Sequence, residues 1–479
     1  MDLLGEGDWN PARGGAGGRR RGRTAAAGPM LAVNSGKRHC GQAPRGSGFA
    51  PVLPSPLEHD CKPWPKAQAS PRAPPKTKAA ATTKAKAATC NPTTTSPPTT
   101  QGVQTFTPAK RKGRASRAAA ASGLKTKVNG GVDVRLGTDF GGMDTPLIAL
   151  ETLGYKVQHV FNSEKNCSCI KLSKTITSPD CEVRYKDITE RVVNDVPKCD
   201  LYVAGIPCIP WCAGGNEEGL DHKDGPLWME AITYIKTKLP KGVVLECAPT
   251  LLQHRKFEES RRQFVRMIED EGYEVHVNLM RTDEHGLPQT RVRFYLVGIK
   301  TSAKRRAFTW PAPLQTTIPL HKIIKGNKVT TLKGMLPDGD REKDHVLRAL
   351  QSAAASGVKL TDSRIIVDIG GTSQFAHYTV DEFPTITATR ATSFDFWVAD
   401  LGRRVKLDEL MLLQGFTTNT FQDRKKAKVT DARQAHMLGN GMSCNVLERL
   451  FPNVLSSIGI DLATPPIDRW AIAASRASA

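Results

Sequence analysis

Four groups of residues carry side chains or spacings able to do chemistry. The first is Cys208, in GIPCIPWC at 205–212, directly after the apolar run DLYVA. A thiol just past the end of a central strand faces the ligand crevice of an α/β sheet, and Pro207 and Pro210 stiffen the loop that holds it. As a thiolate it would be a nucleophile; as a buried thiol it would be packing, and the residue alone does not choose. Cys212, four residues on, competes for the same role. The second group is Glu246, which ends the strand candidate GVVLE and points toward the same crevice, unless it is simply a solvated strand end. The third is LPQTRVRFYLVGI at 287–299, where Gln289, Arg291 and Arg293 alternate and would share one face of an extended segment. Two arginines and an amide on one face suit phosphate or base recognition; a charged edge strand is the plainer alternative. The fourth is the turn GTDFGGMD at 137–144 with Glu164 beyond it, 22 residues after Gly142. Glycines let a backbone approach a ligand, and an acid at that spacing is where a doubly wound nucleotide fold holds a ribose, although two glycines in a β-turn-α unit are common.

These residues need a scaffold, and the chain alternates strand and helix signals. VDVRL and KVQHVF read as strands flanking a helix that starts at Thr145 (the N-cap) and Pro146, stops at Gly154, and carries Leu147, Leu150 and Leu153 on one stripe. DLYVAGI, GVVLE, YEVHVNL and VRFYLVGI are further strands, interleaved with helices at PLWMEAITYIKTKL and KFEESRRQFVRMIEDEG. Strands alternating with helices predict an α/β, doubly wound, mostly parallel sheet, with ligands beyond the carboxyl ends of its strands. Residues 301–381 break the rhythm, with mixed polarity and one helix near REKDHVLRALQSAAA, and read as a small inserted domain. The regular pattern resumes over 382–460, with helices at LDELMLLQGF and MSCNVLERLF, and 461–479 read as a tail.

Residues 1–130 differ in kind. They hold 22 Lys and Arg against 5 Asp and Glu, and 15 of the 32 prolines, so they carry most of the net charge of +21. A segment so poor in apolar periodicity cannot offset its ordering entropy and reads as a disordered basic arm. Such an arm attracts polyanions without sequence preference, and PAKRKGRASR has the form of a nuclear import signal. The expected location is the nucleus, with plastid or mitochondrial import through an N-terminal transit segment as the alternative. No apolar run of about 18 residues and no secretory leader pattern is present, so no membrane partner is expected. The 11 cysteines follow no disulfide framework, and Cys167, Cys169, Cys181 and Cys199 match no common zinc spacing, so no metal is expected.

Taken together, in this order on this scaffold, the four groups resemble the cytosine-5 DNA methyltransferase family over roughly 132–300 and 382–455. GIPCIPW resembles the family's Pro-Cys loop, LPQTRVR its Gln-x-Arg-x-Arg segment and LGNGMSCNVL its C-terminal Gly-Asn segment; KDI, LQGF and the Glu of LEC add support. The resemblance implies a Rossmann-like methyltransferase fold whose insert is a target-recognition domain. It implies S-adenosyl-L-methionine as cofactor, held by Phe140, Gly142, Asp144, Glu164, Asp187, Ile188, Pro207 and Asn440. Glu164 would hold the ribose hydroxyls, Asp187 would meet the adenine amino group, and Asn440 would close over the methionine end. Cys208 would attack carbon 6 of a flipped cytosine, Glu246 would bond ring nitrogen 3 and Arg293 the exocyclic oxygen, while Gln289 and Arg291 support the catalytic loop. The implied substrate is DNA, with RNA as the alternative; a non-catalytic nucleic-acid-binding protein on the same fold is the reading from another class. Three positions depart from the family pattern. Asp144 replaces a glycine and puts a charge near the sulfonium end, Cys247 replaces an asparagine that braces the Pro-Cys loop, and Trp211-Cys212 replace Phe-Ser.

Overall fold

A computed structural model describes residues 133–176, 181–211, 218–371 and 377–478. The basic arm, Val132 and Cys212 lie outside the described residues. The strands β1 (Asp133–Asp139), β2 (Lys156–Ser163), β3 (Val183–Tyr185), β4 (Leu201–Gly205), β5 (Gly242–Cys247), β6 (Tyr273–Arg281) and β7 (Val292–Lys300) form one sheet in the order β3-β2-β1-β4-β5-β7-β6. Strands β1 to β5 pair in parallel, whereas β7 runs antiparallel to both β5 and β6. This is a doubly wound sheet with one reversed strand. Only the short turn at 282–291 separates β6 from β7, too few residues for a helical crossover, so the two form a hairpin.

The strand order reverses between β1 and β4, and the crevice at such a switch point is where an open α/β sheet takes its ligand. Two apolar layers cover the sheet. On one side the helices Thr145–Thr152 and Cys444–Ser457 pack over Val134, Leu136 and Val203; on the other, Leu227–Lys238 and Glu258–Glu269 pack over Tyr202, Ala204 and Leu245. The first helix begins one residue earlier than its sequence suggested. Asp144 is its N-cap, in the left-handed conformation, and Thr145 is already helical.

A second, four-stranded sheet is built from β8 (Ile365–Asp368), β9 (Tyr378–Val380), β10 (Phe396–Val398) and β11 (Arg403–Arg404), with the helix Asp340–Ala355 against it. It therefore draws strands from both sides of the boundary expected at 381. Between β9 and β10 the chain returns to the main body, where Phe383 bridges to Gln289 and the helix Ala388–Thr392 lies against Asp431–Asn440. The approach is close enough that a Cβ on Gly439 would stand 2.3 Å from the Ala388 nitrogen. The last segment is not a loose tail. Trp470 is buried, its indole N–H donates to Glu448 at 2.9 Å, and Arg469 pairs with the same carboxylate at 2.6 Å. Among the described residues no helix is long and apolar enough to cross a membrane, and no cluster of side chains is arranged to hold a metal ion.

Candidate active site

A cavity of about 630 Å³ opens along the carboxyl ends of β1, β2, β4 and β5. Its first wall is the turn after β1. Phe140, Gly142 and Asp144 all adopt positive φ, at 53°, 56° and 59°. Only glycine takes that conformation without cost, so the turn stores strain on either side of Gly142. In this conformation the Gly142 N–H donates to Glu164 at 2.7 Å, and the Asn166 N–H donates to the other oxygen of the same carboxylate, also at 2.7 Å. Glu164 is thus fixed at the end of β2, and its burial raises the carboxyl above the ordinary glutamate range. Asp187 follows β3. It accepts from Lys165 at 2.8 Å and from both the amide and hydroxyl of Thr189, which hold its carboxyl down at about 2. Ile188 and Pro207 add apolar wall.

The second wall is the loop after β4. Gly205 pairs with Glu246 across β4 and β5, so the Cys208 loop and the Glu246 side chain leave the sheet side by side. The Ile206 N–H donates to the Glu246 carbonyl at 3.0 Å and the Trp211 N–H to that of Cys208 at 2.9 Å. Trp211 is completely buried, edge-on to Phe257 at 5.2 Å and to Phe264 at 5.8 Å, and the Thr250 hydroxyl donates to its carbonyl. This aromatic anchor secures the far end of the loop. Cys247, where the family has its bracing asparagine, is buried, and burial pushes its thiol well above the usual range. Glu246 is itself buried, with its carboxyl raised by burial against the opposing pull of Arg293, whose Nε lies 3.3 Å from Oε1. The antiparallel strand β7 pairs with β5, with Phe294 opposite Cys247, which is why Arg293 reaches the cavity.

The sequence reading of Gln289 and Arg291 needs correction. The alternation argument requires an extended strand, but β7 starts only at Val292, and the Arg291 N–H donates to the Gln289 carbonyl across a tight turn. Gln289 is fully buried outside the cavity: its amide N donates to the Leu413 carbonyl at 2.8 Å and its oxygen accepts from the Ile386 amide at 3.1 Å. Arg291 touches the cavity but spends its guanidinium on the carbonyls of Ile386 (2.8 Å), Gly439 (3.2 Å) and Gly441 (2.7 Å). Both residues tie the C-terminal segment to the sheet.

Asp144 also departs from its expected place. Its carboxyl does not line the cavity but turns beneath the loop, accepting from Asn162 at 2.5 Å with Arg184 at 3.6 Å, and burial raises it to about 7. The Asn162 amide also donates to Thr138, whose hydroxyl meets His159 at 2.9 Å. The charge expected at the sulfonium end therefore stands in a polar network under the turn.

Sequence reasoning missed two parts of the wall. Asp139, at the end of β1, is gripped by Arg191 at 2.5 and 2.6 Å and by the Tyr202 hydroxyl at 2.6 Å; no periodicity links residues 52 positions apart. His436 lines the third wall with Asn440, both on the helix Asp431–Asn440. The i, i+4 spacing of the two was the one legible signal.

A model of the C-5 cytosine-specific DNA methylase family matches residues 138–456, about two thirds of the chain. The chain belongs to that family. It is 32% identical over 192 residues to the type II methyltransferase M1.ScrFI of Lactococcus lactis subsp. cremoris, covering 39% of this chain and 48% of that protein. Against M.NgoBI of Neisseria gonorrhoeae it is 28% identical over 271 residues, covering 56% and 77%. Against M.HaeII of Haemophilus aegyptius it is 24% identical over 326 residues, covering 67% and 92%. The chain thus spans about half the length of the first of these and most of the other two. Methyltransferases of the family use S-adenosylmethionine, and the cavity lining suits it: a fixed carboxylate at Glu164 for vicinal hydroxyls, the strong acceptor Asp187 for an amino group, apolar Phe140 and Ile188 for a purine ring, and the amide of Asn440 for a polar group.

Proposed function

We propose that this chain transfers a methyl group from S-adenosylmethionine to carbon 5 of cytosine in DNA, through a covalent adduct at Cys208. The observation that carries the reading is convergence: Cys208, Glu246 and Arg293 line the same cavity as Phe140, Glu164, Asp187 and Asn440. When bound there, S-adenosylmethionine supplies an electrophilic methyl group.

The protein's part is to make carbon 5 nucleophilic. A stacked cytosine cannot reach Cys208, so the target base leaves the duplex, at a cost of a few kcal/mol. The Cys208 sulfur then bonds to carbon 6, and the displaced electron pair makes an enamine across carbons 4 and 5. Glu246, whose carboxyl is raised by burial, donates a proton to ring nitrogen 3 and stabilises the charge that develops there. Arg293, beside Glu246, holds the exocyclic oxygen. Carbon 5 takes the methyl group and leaves S-adenosylhomocysteine; loss of the carbon 5 proton restores the double bond as the sulfur–carbon 6 bond breaks, and nitrogen 3 returns its proton to Glu246. Trp211 and the Pro207–Pro210 segment keep the loop in place throughout.

The family model, a C-5 cytosine-specific DNA methylase, favours DNA over RNA. Methyl transfer to a DNA duplex and to a matched transfer RNA tests this: activity confined to DNA is expected, and activity confined to RNA overturns it. The arm adds affinity without sequence preference, so deleting residues 1–123 should weaken duplex binding and flatten its salt dependence. The import-like segment PAKRKGRASR supports a nuclear location, which a fluorescent fusion in a eukaryotic cell would test.

A further inference from the structure

The helix Asp431–Asn440 ends at the cavity, and one turn before its end His436 joins a chain of three hydrogen bonds whose direction can be worked out. The Thr392 hydroxyl lies 2.6 Å from the Ala388 carbonyl, which can only accept, so the hydroxyl proton is committed there. Thr392 Oγ1 is also 3.1 Å from His436 Nδ1, and with its proton spent it can only accept. His436 Nδ1 therefore carries the ring proton. In the neutral imidazole Nε2 is then an acceptor, and Asn440 Nδ2, 3.1 Å away, donates to it. One N–H of the Asn440 amide is engaged, and its oxygen is left for the cavity that Asn440 lines.

The backbone around this chain is fixed. Gly439 packs on Ala388 with no room for a side chain, and the Arg291 guanidinium binds the carbonyls of Ile386, Gly439 and Gly441 at once. The helix is thus held in place, and the hydrogen bond to His436 is what orients the Asn440 amide.

We infer that His436 is a positioning residue that turns the Asn440 amide so that its oxygen accepts from the α-ammonium group of the cofactor's methionine end. This rests on the reading of the cavity as the S-adenosylmethionine site. The chemistry is a carbonyl dipole meeting a cation, which an amide turned the other way would repel.

The test is calorimetric binding of two probes to the full chain: S-adenosylhomocysteine and its analogue lacking the α-amino group. His436→Phe removes the acceptor, and His436→Gln offers an amide oxygen in its place. The expected result is a roughly tenfold weaker Kd for S-adenosylhomocysteine in His436→Phe, partial or full recovery in His436→Gln, and no change in either variant for the deamino analogue. In turnover, KM for the cofactor should rise while kcat at saturation stays within about twofold. Equal weakening of both probes would make His436 merely structural and overturn the inference, as would unchanged binding. Failure of the parent protein to bind either probe would instead overturn the cofactor reading on which it rests.

Discussion

Replacing Asp144 with asparagine should stabilise this protein in alkali and do little in acid. The carboxyl is wholly buried beneath the cofactor-facing turn, and burial outweighs Arg184 and Asn162 to raise it from 3.8 to about 7. The folded chain thus keeps the proton over a range in which the unfolded chain loses it. For an acid raised in this way, stability declines as pH climbs from about 4 to about 7, and above that the whole cost persists. The displacement corresponds to about 4 kcal/mol, of which more than half falls between roughly pH 5 and pH 8. Asparagine keeps the oxygen that accepts from Asn162 and carries no charge to desolvate. Urea denaturation of parent and variant at those two pH values measures the effect: the midpoint gap should widen at the higher pH with the slope unchanged. A gap independent of pH, or a variant less stable than the parent at pH 8, would show that Arg184 keeps Asp144 ionised and that burial does not dominate.

Other outcomes follow from the same geometry. Arg291→Met should destabilise the protein by about 3–5 kcal/mol, because three carbonyls lose a charged donor; a loss below about 1 kcal/mol in denaturant would discount the clamp. Glu246→Gln should lower kcat/KM by about 10²–10³-fold while S-adenosylhomocysteine binding is kept, and a change under about threefold would remove Glu246 from the chemistry. In the parent enzyme, activity that needs the Glu246 proton should decline with rising pH through a pKa above the usual glutamate range; a profile identical in Glu246→Gln would contradict that. Trp211→Ala should free the Cys208 loop, costing about 3–5 kcal/mol in stability and more in kcat than in cofactor affinity, as paired unfolding and kinetic measurements would show.

Much of the scaffold was legible because its strands are short apolar runs closed by polar turns, and its helices carry apolar stripes. The three-residue strand β3 was too brief to register, and the reversal of β7 follows from the missing crossover helix, which alternation alone does not report. The site was legible where chemistry sits at strand ends: Cys208, Glu164 and Glu246 all stand where the strand boundaries put them. It was misread at Gln289 and Arg291, since alternation implies a shared face only in extended chain, and Pro288 opens a turn there. Asp144 was misread because its left-handed backbone sends the side chain under the turn. The Asp139–Arg191 grip and the Thr392–His436–Asn440 chain join residues far apart in sequence, so only the fold brings them together.

The central claim is that Cys208 forms a bond to the target base. The most direct measurement incubates the full chain with S-adenosylmethionine and a duplex carrying 5-fluorocytosine, beside Cys208→Ala. Fluorine cannot leave carbon 5 as a proton does, so the adduct cannot eliminate the sulfur. The account predicts a denaturation-resistant protein–DNA species that vanishes in Cys208→Ala. No such species in the parent, or one that persists without Cys208, would contradict it.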